Sequence, residues 1–93
     1  MGKKSRARAI ISGRVQGVFY RLETKYAAER YGVFGWVKNR SDGTVEAVFE
    51  GDMENVNSIL DWCRKGPPRA NVKYIDVKRE DYLGEFIDFQ VIY

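Results

Sequence analysis

Residues Arg6 to Val15 alternate in polarity, stop at a glycine-centred turn and give way to a helical pattern. This change of period constrains the fold more than any other feature. Ala7, Ala9, Ile11, Gly13 and Val15 share one side, and Arg6, Arg8, Ser12 and Arg14 the other. That two-residue period is a half-buried strand. From about Arg21 to Tyr31 the spacing predicts a helix with Leu22, Tyr26 and Ala27 inward, closed by Gly32. Phe34 to Arg40 reads as a second strand, and the Asp-Gly pair in Ser41-Asp42-Gly43 turns it into a hairpin with Thr44–Glu50. Asp52 is the expected N-cap of a second helix, with Met53, Val56, Ile59, Leu60 and Cys63 as its buried face and Gly66-Pro67-Pro68 as its stop. Val72 to about Arg79 is a further strand, bulged near Tyr74, where the alternation slips. Phe86 to Tyr93 reads as the last strand, with Ile87, Phe89 and Val91 in one phase.

Strand, helix, strand, strand, helix, strand is the split βαβ order of the α+β class. The expected architecture is a ferredoxin-like sandwich: an antiparallel sheet, two helices on one face, and a short extra C-terminal strand. The 93 residues fit one domain. Residues 1–5 are expected to be a disordered basic N-terminus and 6–93 a single domain. With 44% hydrophobic and 31% charged residues, the chain has the balance of a soluble globular protein and not of a disordered one. No apolar run approaches the ~20 residues of a membrane span, and the basic start lacks the apolar core of a secretory signal. A cytoplasmic protein with no membrane partner is expected. Lys3, Lys4, Arg6 and Arg8 make a basic start with a net charge of +3, read as a solvated end.

The chain has no histidine. This removes the usual general base, the usual zinc ligand and the Ser-His and Cys-His nucleophile pairs. Cys63 is the sole cysteine, which excludes an internal disulfide. It falls on the apolar stripe of the second helix and reads as a small buried hydrophobe.

The informative segment is Gly13-Arg14-Val15-Gln16-Gly17-Val18-Phe19-Tyr20-Arg21. N–H groups exposed at a helix start, aided by the helix dipole, form an anion site. Successive N–H groups in a tight turn can converge on one oxygen. Gly17 gives the backbone the freedom such a turn needs. Arg21 stands where a cation opposes the dipole, and its planar fork matches two phosphate oxygens. On the turn alone two readings stand side by side: a phosphate cradle, or an arginine that faces solvent or pairs with Glu23. Neither a Walker loop nor a Gly-x-Gly-x-x-Gly fingerprint is present. Asn39, late in the second strand, either holds a water through its amide or bonds its own backbone at the turn.

These residues carry a family resemblance. The segment Gly13 to Arg21 resembles the first signature of the acylphosphatases, and Gly35-Trp36-Val37-Lys38-Asn39 with Asp42-Gly43-Thr44-Val45-Glu46 resembles the second. Gly51 and Gly66-Pro67-Pro68-Arg69-Ala70 are similar to the small prokaryotic type. The resemblance runs from about Ala7 to Val91. It implies hydrolysis of the carboxyl-phosphate bond of acyl phosphates to a carboxylate and inorganic phosphate. It implies Arg21 and Asn39 as catalytic residues, a phosphate-binding stretch of Val15, Gln16, Gly17, Val18, Phe19, Tyr20 and Arg21, and no metal or cofactor. Tyr20 departs from the pattern, in which Phe usually precedes the arginine. The small acyl phosphate and inorganic phosphate are the expected ligands of a monomer.

The missing histidine agrees with that chemistry. A carboxylate leaves readily, since its conjugate acid has a pKa near ~4.3, whereas a phosphate monoester must expel a far more basic alkoxide. A rival reading is an RNA-recognition module, which shares the topology. Glu46 and Glu50 on the face of Val48 oppose it, and no [KR]-G-[FY] motif occurs. A second rival is an inactive regulatory or carrier domain of the same fold. Glu80-Asp81 is read as solvated surface and not as a metal site.

Overall fold

The computed structural model describes residues 3–93. Its elements are β1 (Lys4–Arg14), α1 (Tyr20–Tyr31), β2 (Phe34–Asn39), β3 (Val45–Asp52), α2 (Met53–Lys65), β4 (Asn71–Glu80) and β5 (Phe89–Ile92). They form one five-stranded sheet in the order β4-β1-β3-β2-β5. The split βαβ order expected from the sequence is present, with the short extra strand at the end. The sheet is mixed, not purely antiparallel, because β5 runs parallel to β2.

The core lies between the sheet and the helices. Ala7, Ala9 and Ile11 of β1, and Val45, Ala47 and Phe49 of β3, meet Val56, Ile59, Leu60 and Cys63 of α2. These α2 positions follow the i, i+3, i+4, i+7 stripe read from the sequence. Met53, expected with them, is exposed. Asp52 occupies the N-cap position without a side-chain cap bond. Its carboxylate instead pairs with Lys4 at 2.7 Å, and the Met53 N–H donates to the Lys3 carbonyl. The same pairing corrects the expected disordered stretch. Lys4 and Ser5 are in β1, in register with Asp52 and Gly51, and residues 1–2 lie outside the described residues.

In α1 the inward face is Tyr20, Thr24, Ala27 and Ala28, and the expected Leu22 and Tyr26 are exposed. Small alanines let the second half of the helix lie close to its neighbours, while the bulky Leu22 and Tyr26 turn outward. The bulge expected near Tyr74 is present: the β1–β4 register slips between Ser12 and Gly13, opposite Tyr74 and Val72.

The sheet face away from the helices is not left to solvent. Glu50 is buried there and accepts the N–H groups of Leu83, Gly84 and Glu85, which binds the segment after β4 across the face. Arg6 pairs with Glu50, Glu80 and Glu85, and Arg8 with Glu46 and Glu80. Arg6 and Arg8 are therefore not a solvated basic end, and Glu80 is not bare surface. The last strand is shorter than expected, Phe89–Ile92, and Ile87 before it is exposed.

Candidate active site

Strand register brings the two sequence motifs together. Val45 of β3 pairs with Ile11 of β1 on one side and with Asn39 of β2 on the other. Both pairings are antiparallel, so β1 and β2 run the same way and end at the same edge. β5, parallel to β2, ends there too, with Ile92 beside Lys38. The turn leaving β1 thus emerges next to Asn39, one strand away and about 10 Å across at ordinary strand spacing. The residue after β5, Tyr93, arrives at the same corner.

The turn is built from unusual backbone. Gly17 has φ +73° and Phe19 has φ 64°, ψ 20°. Phe19 is the one non-glycine residue with positive φ among the described residues. Such a conformation costs a side-chain-bearing residue about 1 kcal/mol or more and concentrates at functional sites. Phe19 is also the N-cap of α1, and its carbonyl accepts the Glu23 N–H. The N–H groups of Gln16, Gly17, Val18, Phe19 and Tyr20 donate to no other group among the described residues. They are free for an anion at the positive end of the helix.

A cavity of about 300 Å³ opens at this corner, lined by Val15, Gly17, Phe19, Tyr20, Arg21, Leu22, Asn39, Val91 and Tyr93. Of the expected phosphate-binding stretch, Gln16 and Val18 are not in its wall. The Gln16 side chain turns to the β2–β3 hairpin, where its amide donates to the Arg40 carbonyl at 2.8 Å and the Thr44 carbonyl at 2.9 Å. Val18 packs against the core.

Arg21 projects from the second residue of α1. Its guanidinium lies over the Tyr93 ring, 4.8 Å from the centroid, and donates to the Ile92 carbonyl at 3.3 Å. Asn39 lines the same cavity, and its Oδ1 is buried and accepts no hydrogen bond among the described residues. A buried amide oxygen without a donor costs about 1–3 kcal/mol, and such an atom calls for a partner. The expected alternative, an Asn39 side chain bonded to its own backbone, does not occur. Among the described residues no group of three His, Cys, Asp or Glu side chains is placed to hold a metal ion.

Sequence reasoning missed Leu22, Val91 and Tyr93 as members of the site. The last strand reads with Val91 in one phase with Ile87 and Phe89, but nothing local shows that β5 pairs with β2 and ends at this corner.

The acylphosphatase family model matches residues 7–91. A curated acylphosphatase of Pyrobaculum aerophilum is 54% identical over 89 residues, which are 95% of this chain and 94% of that protein. One from Pelotomaculum thermopropionicum is 49% identical over 90 residues, 97% and 98% of the two chains. Among solved structures, the acylphosphatase of Bacillus subtilis superposes with a TM-score of 0.92 at 35% identity, over 96% of this chain and 99% of that one.

Proposed function

The chain belongs to the acylphosphatase family, whose members are hydrolases of small acyl phosphates, and we propose that Arg21, Asn39 and the backbone from Val15 to Tyr20 carry its reaction. The observation that supports this reading most is that Asn39, whose Oδ1 is buried and unpartnered, lines the same cavity as Arg21 and the turn.

The phosphoryl oxygens bind the turn N–H groups and the Arg21 guanidinium. These donors stabilise negative charge as it shifts in the transition state, by position and electrostatics alone. Asn39 accepts a hydrogen bond from the attacking water and aims its lone pair at phosphorus, in line with the leaving carboxylate. The water oxygen bonds to phosphorus, the bond from phosphorus to the acyl oxygen breaks, and the carboxylate departs with that electron pair. The water proton passes to a phosphoryl oxygen of the substrate. The products are a carboxylate and inorganic phosphate, and no covalent enzyme intermediate forms.

The enzyme is read as a cytoplasmic monomer without cofactor, metal or nucleic-acid partner. The sheet face that an RNA-recognition module would offer to bases is occupied here by the Arg6 and Arg8 ion pairs with Glu46, Glu50 and Glu80.

Benzoate release from benzoyl phosphate tests the assignment. Arg21→Gln is expected to stay folded and to lose both turnover and inhibition by inorganic phosphate. Asn39→Ala is expected to lower kcat by roughly 10²-fold while phosphate still inhibits. Full activity of Arg21→Gln would overturn the reading. Equal loss of phosphate inhibition in Asn39→Ala would make Asn39 a binding group instead.

A further inference from the structure

We propose that Tyr20 is a positioning residue of the phosphate cradle, acting through a hydroxyl clamp between the start of α1 and the end of α2. The proposal rests on the reading of the turn and Arg21 given above.

Tyr20 opens α1, between the left-handed Phe19 and Arg21. Its side chain is 1% exposed, its ring centroid lies 5.7 Å from that of Trp62, and its hydroxyl donates to the Cys63 carbonyl at 2.7 Å. That carbonyl finds no donor in its own helix. In an α-helix the carbonyl of residue 63 accepts from the N–H of residue 67, and residue 67 is proline, which has none. The neighbouring Gly66 N–H is already given to Trp62. The helix therefore ends on a buried acceptor that it cannot satisfy, and Tyr20 supplies the donor. Burial, above all, raises the phenol far above its ordinary pKa, so the hydroxyl keeps its proton across the working range.

A phenylalanine at position 20 fills the same space and leaves the carbonyl bare. The hydroxyl thus ties the two helices at a point one residue from Arg21. The N–H of Tyr20 is one of the free amides at this helix start, and the Arg21 side chain leaves from the next residue. Locking the ring and its oxygen locks the direction of both. Gly66 leaves room for the ring: a Cβ there would lie 2.7 Å from Tyr20 Cε2.

The test compares Tyr20→Phe with the parent enzyme on benzoyl phosphate, at a temperature where circular dichroism shows both folded. KM and the inhibition constant for inorganic phosphate are expected to rise together, by roughly three- to tenfold, with kcat changed less than about twofold. Loss of a purely structural bond would lower heat stability and leave both constants alone, and that result overturns the proposal. Gly66→Ala, which presses on the Tyr20 ring from outside the cavity and also strains the end of α2 at its φ of +69°, is expected to move the same two constants. If Tyr20→Phe does not fold, the Gly66→Ala constants decide the matter in its place: a rise supports the clamp and unchanged values overturn it. Arg21→Gln serves as the control. If it loses phosphate inhibition while Tyr20→Phe keeps it at the parent value, the clamp fails and the site stands. If Arg21→Gln itself keeps phosphate inhibition, the site reading fails and the clamp falls with it.

Discussion

Gln16 donates its side-chain amide to the Arg40 carbonyl, 24 residues away, at 2.8 Å. With its second bond, to Thr44, it braces the turn after β1 against the hairpin that carries Asn39. The two halves of the site lie at the ends of different strands whose register is fixed through Val45, and this side chain ties them together beyond the strand ends. Gln16→Ala is expected to lower kcat by about tenfold, because a shift of ~1 Å in a positioned group can cost up to 10²-fold. Inhibition by phosphate is expected to persist, since the turn amides remain. An equal loss of phosphate inhibition would put the Gln16 side chain in the cradle itself.

Glu50 links acid stability to the covered sheet face. Burial pushes its carboxyl up, but the Leu83 N–H, the Arg6 guanidinium and the Gly84 and Glu85 N–H groups outweigh that and hold it below its ordinary value. A folded pKa below the unfolded one gives stability that is complete above the unfolded value, near ~4.3. That stability drains away as pH falls through the folded value. Urea unfolding is expected to show a steep loss of stability below about pH 4. Glu50→Gln is expected to lose about 3 kcal/mol at pH 7 and to show a shallower acid limb. Superimposable pH profiles for the two proteins would remove Glu50 from the account.

Gly35 sits in β2 where the backbone of β3 comes closest. Its φ is +144°, and a Cβ there would lie 1.8 Å from the Val48 carbonyl oxygen. Gly35→Ala must part β2 from β3 in the strand that delivers Asn39. A loss of about 3 kcal/mol or more is expected in a urea titration, in line with backbone and overpacking penalties, along with reduced turnover. Parent-like stability would show that the strands are free to separate there.

Cys63 is fully buried in α2, and burial pushes its thiol up to about 12. The thiolate is the reactive form, so the folded enzyme is expected to resist iodoacetamide at pH 8 and to react once unfolded in urea. Inactivation by the reagent under native conditions would contradict an inert, structural cysteine.

Local patterns determined much of this protein. The order of elements, the Asp-Gly hairpin, the Val56–Ile59–Leu60–Cys63 stripe and the bulge near Tyr74 all depend on neighbours within a few residues, and all were legible in the chain. So were Arg21 and Asn39 as candidates, through motif spacing. Only the tertiary structure decided how they meet. Strand register through Val45 sets the turn beside Asn39, and the parallel pairing of β5 with β2 brings Tyr93 onto Arg21. It also turned Leu22 and Tyr26 outward, and it converted Arg6, Glu50 and Glu80 from apparent surface charges into a covered network. The reason is physical: periodicity records which side of an element is apolar, but not what lies against it. The free amides of the turn, the bare Oδ1 of Asn39 and the Tyr20 bond to Cys63 each depend on a partner, present or missing, that arrives from a distant part of the chain.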